Sequence, residues 1–280
     1  MLKNTFCHLP GVGIKSETRL WEGGIFSWDD MLGASAPPDK RPGRLAANIR
    51  ASYKHLEAKD PAYFASLLPE ALYWRLFPEF ASTTAYIDIE TNGIMGEKGY
   101  ITAIALYDGK SVHNYVNGYN LDEFAGDIKK YNLIVTYNGK CFDIPFIESH
   151  MNVRLPQAHI DLRFALKSLG FTGGLKGCEK KFGIDRGGLE GLDGFFAVLL
   201  WNDFLRNRNG LALETLIAYN SQDAVSLEPL LVHTFNLKLR GTPFFSSGRL
   251  PLPPPPDLPF TPHMDTIERI SRERYGHYRL

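Results

Sequence analysis

Asp88 and Glu90 stand two residues apart in AYIDIETNG (85–93), inside a run that otherwise alternates like a buried strand. Strand side chains alternate, so both carboxylates share a side with Tyr86 while Ile87 and Ile89 point the other way. Like charges on one desolvated face repel, and no basic residue in the segment offsets them. A divalent cation removes that cost and gives the placement a chemistry. An exposed strand face, or Glu90 capping a turn at Asn92-Gly93, accounts for the same residues without chemistry.

Two further segments supply acids. TYNGKCFDIPF puts Asn138 at a strand end and Asp143 at a helix start, with Phe142 as an apolar anchor before it. Helix N-termini favour anions through exposed amides and the dipole. LIAYNSQDAVSL is helical, so Tyr219 and Asp223, four apart, share a face. A turn at Asn138-Gly139, a capping Asp143 and a polar surface pair at 219 and 223 are the bland alternatives. Asp161 in HIDLRF is a tempting fifth acid that reads better as the cap of a helix beginning at Leu162. His159 has no second histidine at ligand spacing. Lys176, Lys180 and Lys181 in GLKGCEKKFGI, with Arg186 behind them, are either phosphate contacts or a solvated helix face. Cys7, Cys141 and Cys178 lack disulfide or metal spacing, suit a reducing compartment, and read as small buried apolar groups.

These residues need a frame. The chain has 280 residues, 44% of them hydrophobic and 12% aromatic, which is the composition of a folded protein. Lys plus Arg equals Asp plus Glu at 31 each, so any polyanion site must be local. MLKNTFCHLPGVG lacks a signal peptide's apolar run and no later stretch of 18 apolar residues occurs, so the expectation is a cytoplasmic protein without a membrane partner. Residues 1–80 read as short helices, with SWDDML starting behind a Ser cap. The stretch SAPPDKRPGR follows, and Lys40, Arg41, Arg44, Arg50, Lys54 and Lys59 face a single acid, Glu57, which reads as a solvated surface. Residues 82–240 read as α/β: TTAYIDIET, YITAIALYD and KSVHNYVNG as an antiparallel start, NLDEFAGDIKKY as a helix, then NLIVTYNG and QAHID as strands. A helical run from Leu211 to about Leu239 closes the zone, and Pro229 is expected to bend or interrupt it. In residues 241–280, LPLPPPPDLPF is an extended polyproline segment, a strap or spacer, before a mildly basic amphipathic tail.

Asp88-x-Glu90, Asn138-x3-Phe142-Asp143 and Tyr219-x3-Asp223, in that order, resemble the three exonuclease motifs of the DEDD 3′–5′ exonuclease superfamily, and Tyr219 resembles its tyrosine subclass. LIVTYNGKCFDIPFIESH, HIDLRFAL, LKGCEKKFGIDR and YNSQDAVSLEPLL are similar to the YprB-type ribonuclease H-like exonuclease domain over residues 82–235, although that family often has histidine where Tyr219 stands. The resemblance implies a ribonuclease H-like fold, a five-stranded mixed sheet flanked by helices with a small helical N-terminal region. It implies that Asp88, Glu90, Asp143 and Asp223 hold two divalent cations, Mg²⁺ or Mn²⁺. Tyr219 would orient the attacking water or a phosphate oxygen, and Asn138, Phe142 and Asp161 would support the site. The implied substrate is DNA or RNA, taken at a single-stranded 3′ end. A structure-specific endonuclease on the same fold is the nearest rival; a non-catalytic nucleic-acid-binding or assembly module is the other, and it gains nothing from phosphate-repelling carboxylates. At residues 6–23, LPGVGIKSETRLW resembles a helix-hairpin-helix, which implies phosphate contact at Gly11 and Gly13. Glu17 departs from that pattern, standing where a small residue commonly allows helix packing. The sequence leaves the oligomeric state open.

Overall fold

The structure is a computed structural model that describes residues 1–33 and 42–276. Most of the stretch SAPPDKRPGR, with Lys40 and Arg41, and the end of the tail lie outside the described residues.

Five strands form one sheet: β1 (Thr84–Thr91), β2 (Ile101–Tyr107), β3 (Val112–Val116), β4 (Leu133–Thr136) and β5 (Ala158–Asp161). Their order is β3-β2-β1-β4-β5. β2 pairs antiparallel with β1 and β3, whereas β4 pairs parallel with β1 and β5. The first strand is therefore central. The mixed five-stranded sheet flanked by helices is the fold that the sequence reading expects.

The N-terminal region holds α1 (Ile14–Glu22), α2 (Trp28–Gly33), α3 (Pro42–Glu57), α4 (Pro61–Leu67) and α5 (Phe77–Phe80). Ser27 and Asp30 close a reciprocal cap at α2, each side chain accepting from the other's backbone N–H at 3.1 and 2.8 Å. NLDEFAGDIKKY does not form one regular helix. It folds as α6 (Phe124–Asp127) between two 3₁₀ turns, and Asn120 turns its side chain back to the Val116 N–H instead of capping. Beyond it come α7 (Asp143–Met151), α8 (Leu162–Lys167), α9 (Gly174–Phe182), α10 (Gly194–Asn207), α11 (Gly210–Leu239) and α12 (Met264–Gly276). α11 runs unbroken for 30 residues, and Pro229 lies inside it without ending it. Packing against β1, β2, α9 and α10 holds the helix through the one lost backbone donor.

The sheet separates two cores according to strand parity. Tyr86 joins Phe6, Trp28, Phe64, Leu133 and Leu230 on one face. Ile87 and Ile89 join Phe124 and Ile147 on the other. The N-terminal helices thus share their core with the sheet. Glu17 explains part of this: fully buried, it accepts from the Phe6 and Cys7 N–H groups at 2.6 and 3.1 Å and from Arg75 at 2.7 Å. The position expected to hold a small packing residue holds a polar staple.

Past α11, the Pro-rich segment is a strap. Asn236 exchanges two hydrogen bonds with the Leu250 backbone, at 2.8 and 2.9 Å. Pro253–Pro256 then run beside Phe182, Pro229 and His233. Ile267 and Ile270 of α12 pack with Trp201 and Leu216. Among the described residues, no helix is long and apolar enough to cross a membrane.

Candidate metal centre

Asp88 and Glu90 from β1 and Asp223 from α11 each bring a carboxylate oxygen within 4.8 Å of the others. Strand parity turns the first two toward α11. Both acids lie in the regular part of the pairing with β2, opposite Ala105 and Ala103, and the register shifts only after Glu90, at Thr91. Helix periodicity brings Tyr219 and Asp223 one turn apart, with Asn220 beside them. Asn220 is fully buried and donates from Nδ2 to Asp88 Oδ2 at 2.8 Å and to the Asp88 carbonyl at 3.1 Å. That side chain ties helix to strand at the acid itself.

Asp143 opens α7 and is 5% exposed. Its Oδ1 accepts the Ile89 N–H at 3.2 Å, which sets it against β1 between Asp88 and Glu90 in sequence, outside the 4.8 Å triad. The preceding loop is fixed in detail. Asn138 is left-handed, with φ of 69°. The Asp161 carboxylate accepts from the N–H groups of Asn138 at 2.8 Å, Lys140 at 3.0 Å and Arg163 at 3.0 Å, so it caps α8 and pins the loop at once. Gly139 permits the fit, because a Cβ there would run into the Thr136 side chain. Phe142 packs partly buried in the apolar cluster that holds Ile87 and Ile89.

Crowding dominates the electrostatics. Burial, then Asp223, Glu90 and Asp143, hold the Asp88 carboxyl well above the usual carboxylate range. Burial and Asp223 do the same to Glu90, opposed by Lys176 and Arg186. Burial pushes Asp143 up to about 7. Two cations face these acids. Arg186 is 5% exposed, holds both oxygens of Glu179 from Nη1 at 2.8 and 2.9 Å, and donates from Nη2 to Asp223 Oδ1. Lys176 donates to the Tyr219 hydroxyl, its ammonium 4.3 Å from that ring's centroid. Tyr219 is 1% exposed, and burial with Asp223, Glu90 and Asp88 raises its phenol far above the ordinary range.

The donor set fits a hard divalent cation: carboxylate oxygens converge, desolvation raises their proton affinity, and a bound ion removes their repulsion. Lys180 and Lys181 stand apart, exposed on α9, with Lys181 donating to the Thr172 carbonyl at 3.3 Å. Gly11, at φ of 80°, lines a cleft with Arg19 and Met31, and Gly13 is the N-cap residue of α1. A single 3₁₀ turn, Leu2–Asn4, precedes that hairpin. Cys141 is exposed, contrary to its reading as a buried apolar group, whereas Cys7 and Cys178 are buried.

Sequence reasoning missed three contributors. Arg186, which the sequence leaves open between a phosphate contact and a solvated face, is a buried ion-pair partner. Nothing in the lysine-rich run GLKGCEKKFGI singles out Glu179. Asn220, adjacent to Tyr219 in YNSQD, shares its helix turn and was the most accessible signal.

The family model of the RNase_H superfamily matches residues 85–235, from the start of β1 almost to the end of α11. Among solved structures, the family B DNA polymerase from the hyperthermophilic archaeon Pyrobaculum calidifontis is similar at 16% identity and a TM-score of 0.42. That similarity covers 60% of this chain and 27% of the polymerase chain. No curated protein matches the chain. With half of its length matched by the family model and the acids assembled on the first strand and last long helix of that match, the chain belongs to the RNase_H superfamily.

Proposed function

We propose that the protein is a metal-dependent 3′–5′ exonuclease acting on DNA or RNA. The observation that carries the reading is the approach of Asp88, Glu90 and Asp223 to within 4.8 Å, with Asp143 bonded to the Ile89 backbone beside them. Two Mg²⁺ or Mn²⁺ ions held by these four carboxylates would supply an activated water and charge stabilisation for the departing 3′ oxygen.

The protein's own residues have separable tasks. Asn220 holds the Asp88 carboxylate in place, and Arg186 holds the Asp223 carboxylate through Oδ1. Tyr219 stays a neutral phenol because burial and three carboxylates oppose its ionisation. It therefore orients a water or phosphate oxygen through its hydroxyl and takes no proton. Lys176, which donates to that hydroxyl, would meet phosphate charge. The N-terminal hairpin at Gly11 and Gly13 and the exposed Lys180 and Lys181 would add sequence-independent backbone contacts.

End-labelled and circular single-stranded DNA and RNA, incubated with Mg²⁺, Mn²⁺ or EDTA, test the reading. Stepwise loss from the 3′ end in metal, with the circles intact, is the expected result. Cleavage of circles assigns an endonuclease instead, and full activity in EDTA removes the metal mechanism.

A further inference from the structure

A cavity of about 560 Å³ is lined by Tyr137, Asn138, Arg163, Lys167, Phe171 and the 172–174 turn, between the loop that leads to Asp143 and the start of the helix that carries Lys176. We propose that this cavity is the track along which a single-stranded phosphodiester chain reaches the carboxylates, with Arg163 and Lys167 on its phosphates and Phe171 against a base or sugar. The inference rests on the nuclease reading and names the part of the molecule that would hold the strand outside the reacting bond.

Charge is the first argument. Among the described residues, two cations line the cavity and no carboxylate does. Arg163 and Lys167 are four apart on α8, so both project from one helix face, roughly 6 Å apart at Cβ. Each is exposed. Arg163 spends one guanidinium nitrogen on Asn138 Oδ1, whereas the Lys167 ammonium has no partner among the described residues.

Aromatic surface is the second. The Phe171 ring packs on Phe182 with centroids 4.6 Å apart, and the Lys181 ammonium lies 5.8 Å from the Phe171 centroid. A braced ring flanked by cations is the combination that accepts bases of any sequence while a basic wall follows the backbone. Lys181, exposed on α9, thereby gains a defined place beside the track.

Continuity with the acids is the third. The wall at Asn138 leads in five residues to Asp143, and the wall at Gly174 leads in two to Lys176, which touches Tyr219. The first wall is rigid, since Asp161 holds the Asn138 and Lys140 N–H groups. A strand in the cavity would pass between the two segments that carry Asp143 and Lys176.

The test uses the full chain carrying Asp88→Ala, so that bound strands survive, with 5′-labelled single-stranded DNA and RNA followed by fluorescence anisotropy from 50 to 200 mM salt. Each phosphate contact contributes about 0.7 to the slope of log K against log salt for a single strand. Adding Arg163→Ala and Lys167→Ala should flatten the slope by about 1.4 and weaken binding at least tenfold at 50 mM salt. Arg163→Lys should keep the slope, and Phe171→Ala should weaken binding equally at every salt. In the hydrolytically competent chain the double variant should raise KM and leave kcat within about twofold. Unchanged affinity and slope in the double variant, with the parent binding normally, overturns the track and leaves the nuclease reading intact. Labelled polyglutamate bound with the same loss of slope also overturns it, since the face would then attract any polyanion. A parent that binds neither strand, while the competent chain still degrades both, places the strand elsewhere. Absence of both binding and hydrolysis defeats the nuclease reading and the track together.

Discussion

Arg186 donates to Asp223 Oδ1 while its other terminal nitrogen lies between the two oxygens of Glu179, at 2.8 and 2.9 Å. All three side chains are buried. A planar guanidinium fork serves two carboxylates at once, which a lysine ammonium does not reproduce. Removing it strands two acids beside a centre that is already crowded with negative charge.

Arg186→Met should destabilise the protein by about 3–5 kcal/mol, the usual effect of breaking a buried ion pair from one side. Arg186→Lys should recover part of the loss. Urea denaturation in EDTA gives the first quantity. Calorimetric titration with Mn²⁺ should show weaker binding in both variants, because Asp223 is no longer held; wild-type affinity in both would mean that Arg186 does nothing for the ion site.

Asp88→Asn and Asp223→Asn should each abolish hydrolysis yet move stability in opposite directions. Asp88 is opposed by three neighbouring acids, so neutralising it relieves repulsion in the metal-free protein. Asp223 balances Arg186, so neutralising it leaves the guanidinium under-compensated. Thermal melts in EDTA check the signs. Two variants shifted the same way would contradict this account of the charges.

Asp143 carries a pH signature. Its carboxyl titrates near 7 in the fold and near 4 in an unfolded chain. Across that window the folded state holds a proton that the unfolded state has released, so the Asp143 contribution to stability falls as pH rises and is flat above it. Burial also lowers His8 and His159 to about 4, which tilts stability the opposite way below pH 6.5. Comparing wild type with Asp143→Asn cancels that slope. Metal-free, the stability difference between them should change by on the order of 3 kcal/mol between pH 4 and 7. Saturating Mn²⁺ should reverse its sign, since the ion binds the ionised form.

Tyr219→Phe should slow turnover about tenfold to a hundredfold, the effect of one hydrogen bond realised in the transition state. Mn²⁺ affinity should stay within about threefold. Tyr219→His should keep measurable activity and add a limb near pH 6–7 to the rate profile if the imidazole enters proton transfer. A Phe variant as fast as wild type removes the hydroxyl from the mechanism.

Glu17→Ala should destabilise the N-terminal region by about 3–5 kcal/mol, because Arg75, itself 3% exposed, loses its carboxylate and two backbone donors lose their acceptor. Glu17→Gln should recover part of this by accepting those donors without charge. Hydrogen exchange at Phe6 and Cys7 reads the local effect directly; unchanged protection there in the Ala variant would argue against the staple.

Much of the centre was legible in the sequence because local rules fix it. Strand parity alone sends Asp88 and Glu90 to one side, and a four-residue spacing alone stacks Tyr219 on Asp223. The order of strands and helices follows from the same periodicities. What escaped depends on distant partners. Nothing local distinguishes buried Arg186 from its solvated lysine neighbours, since its partners are Glu179, across the left-handed Gly183 that ends α9, and Asp223 on another helix. Glu17 was opaque for the same reason, with Arg75 58 residues away. Pro229 looked like a break because the packing that sustains α11 is tertiary.

The alternation along β1 also governs how such a gene can drift. Substitutions at Ala85 or Ile87 alter packing locally, but deletion of one codon before Asp88 would exchange the two faces, sending both acids into the cluster of Phe124 and Ile147 and both isoleucines toward α11. Deletion of two would restore the face and displace the acids by about 7 Å along the strand, off Asp223. Length changes should therefore be tolerated at exposed turns such as Asp108–Ser111 and not within the central strand, whose length is fixed by the face it must present.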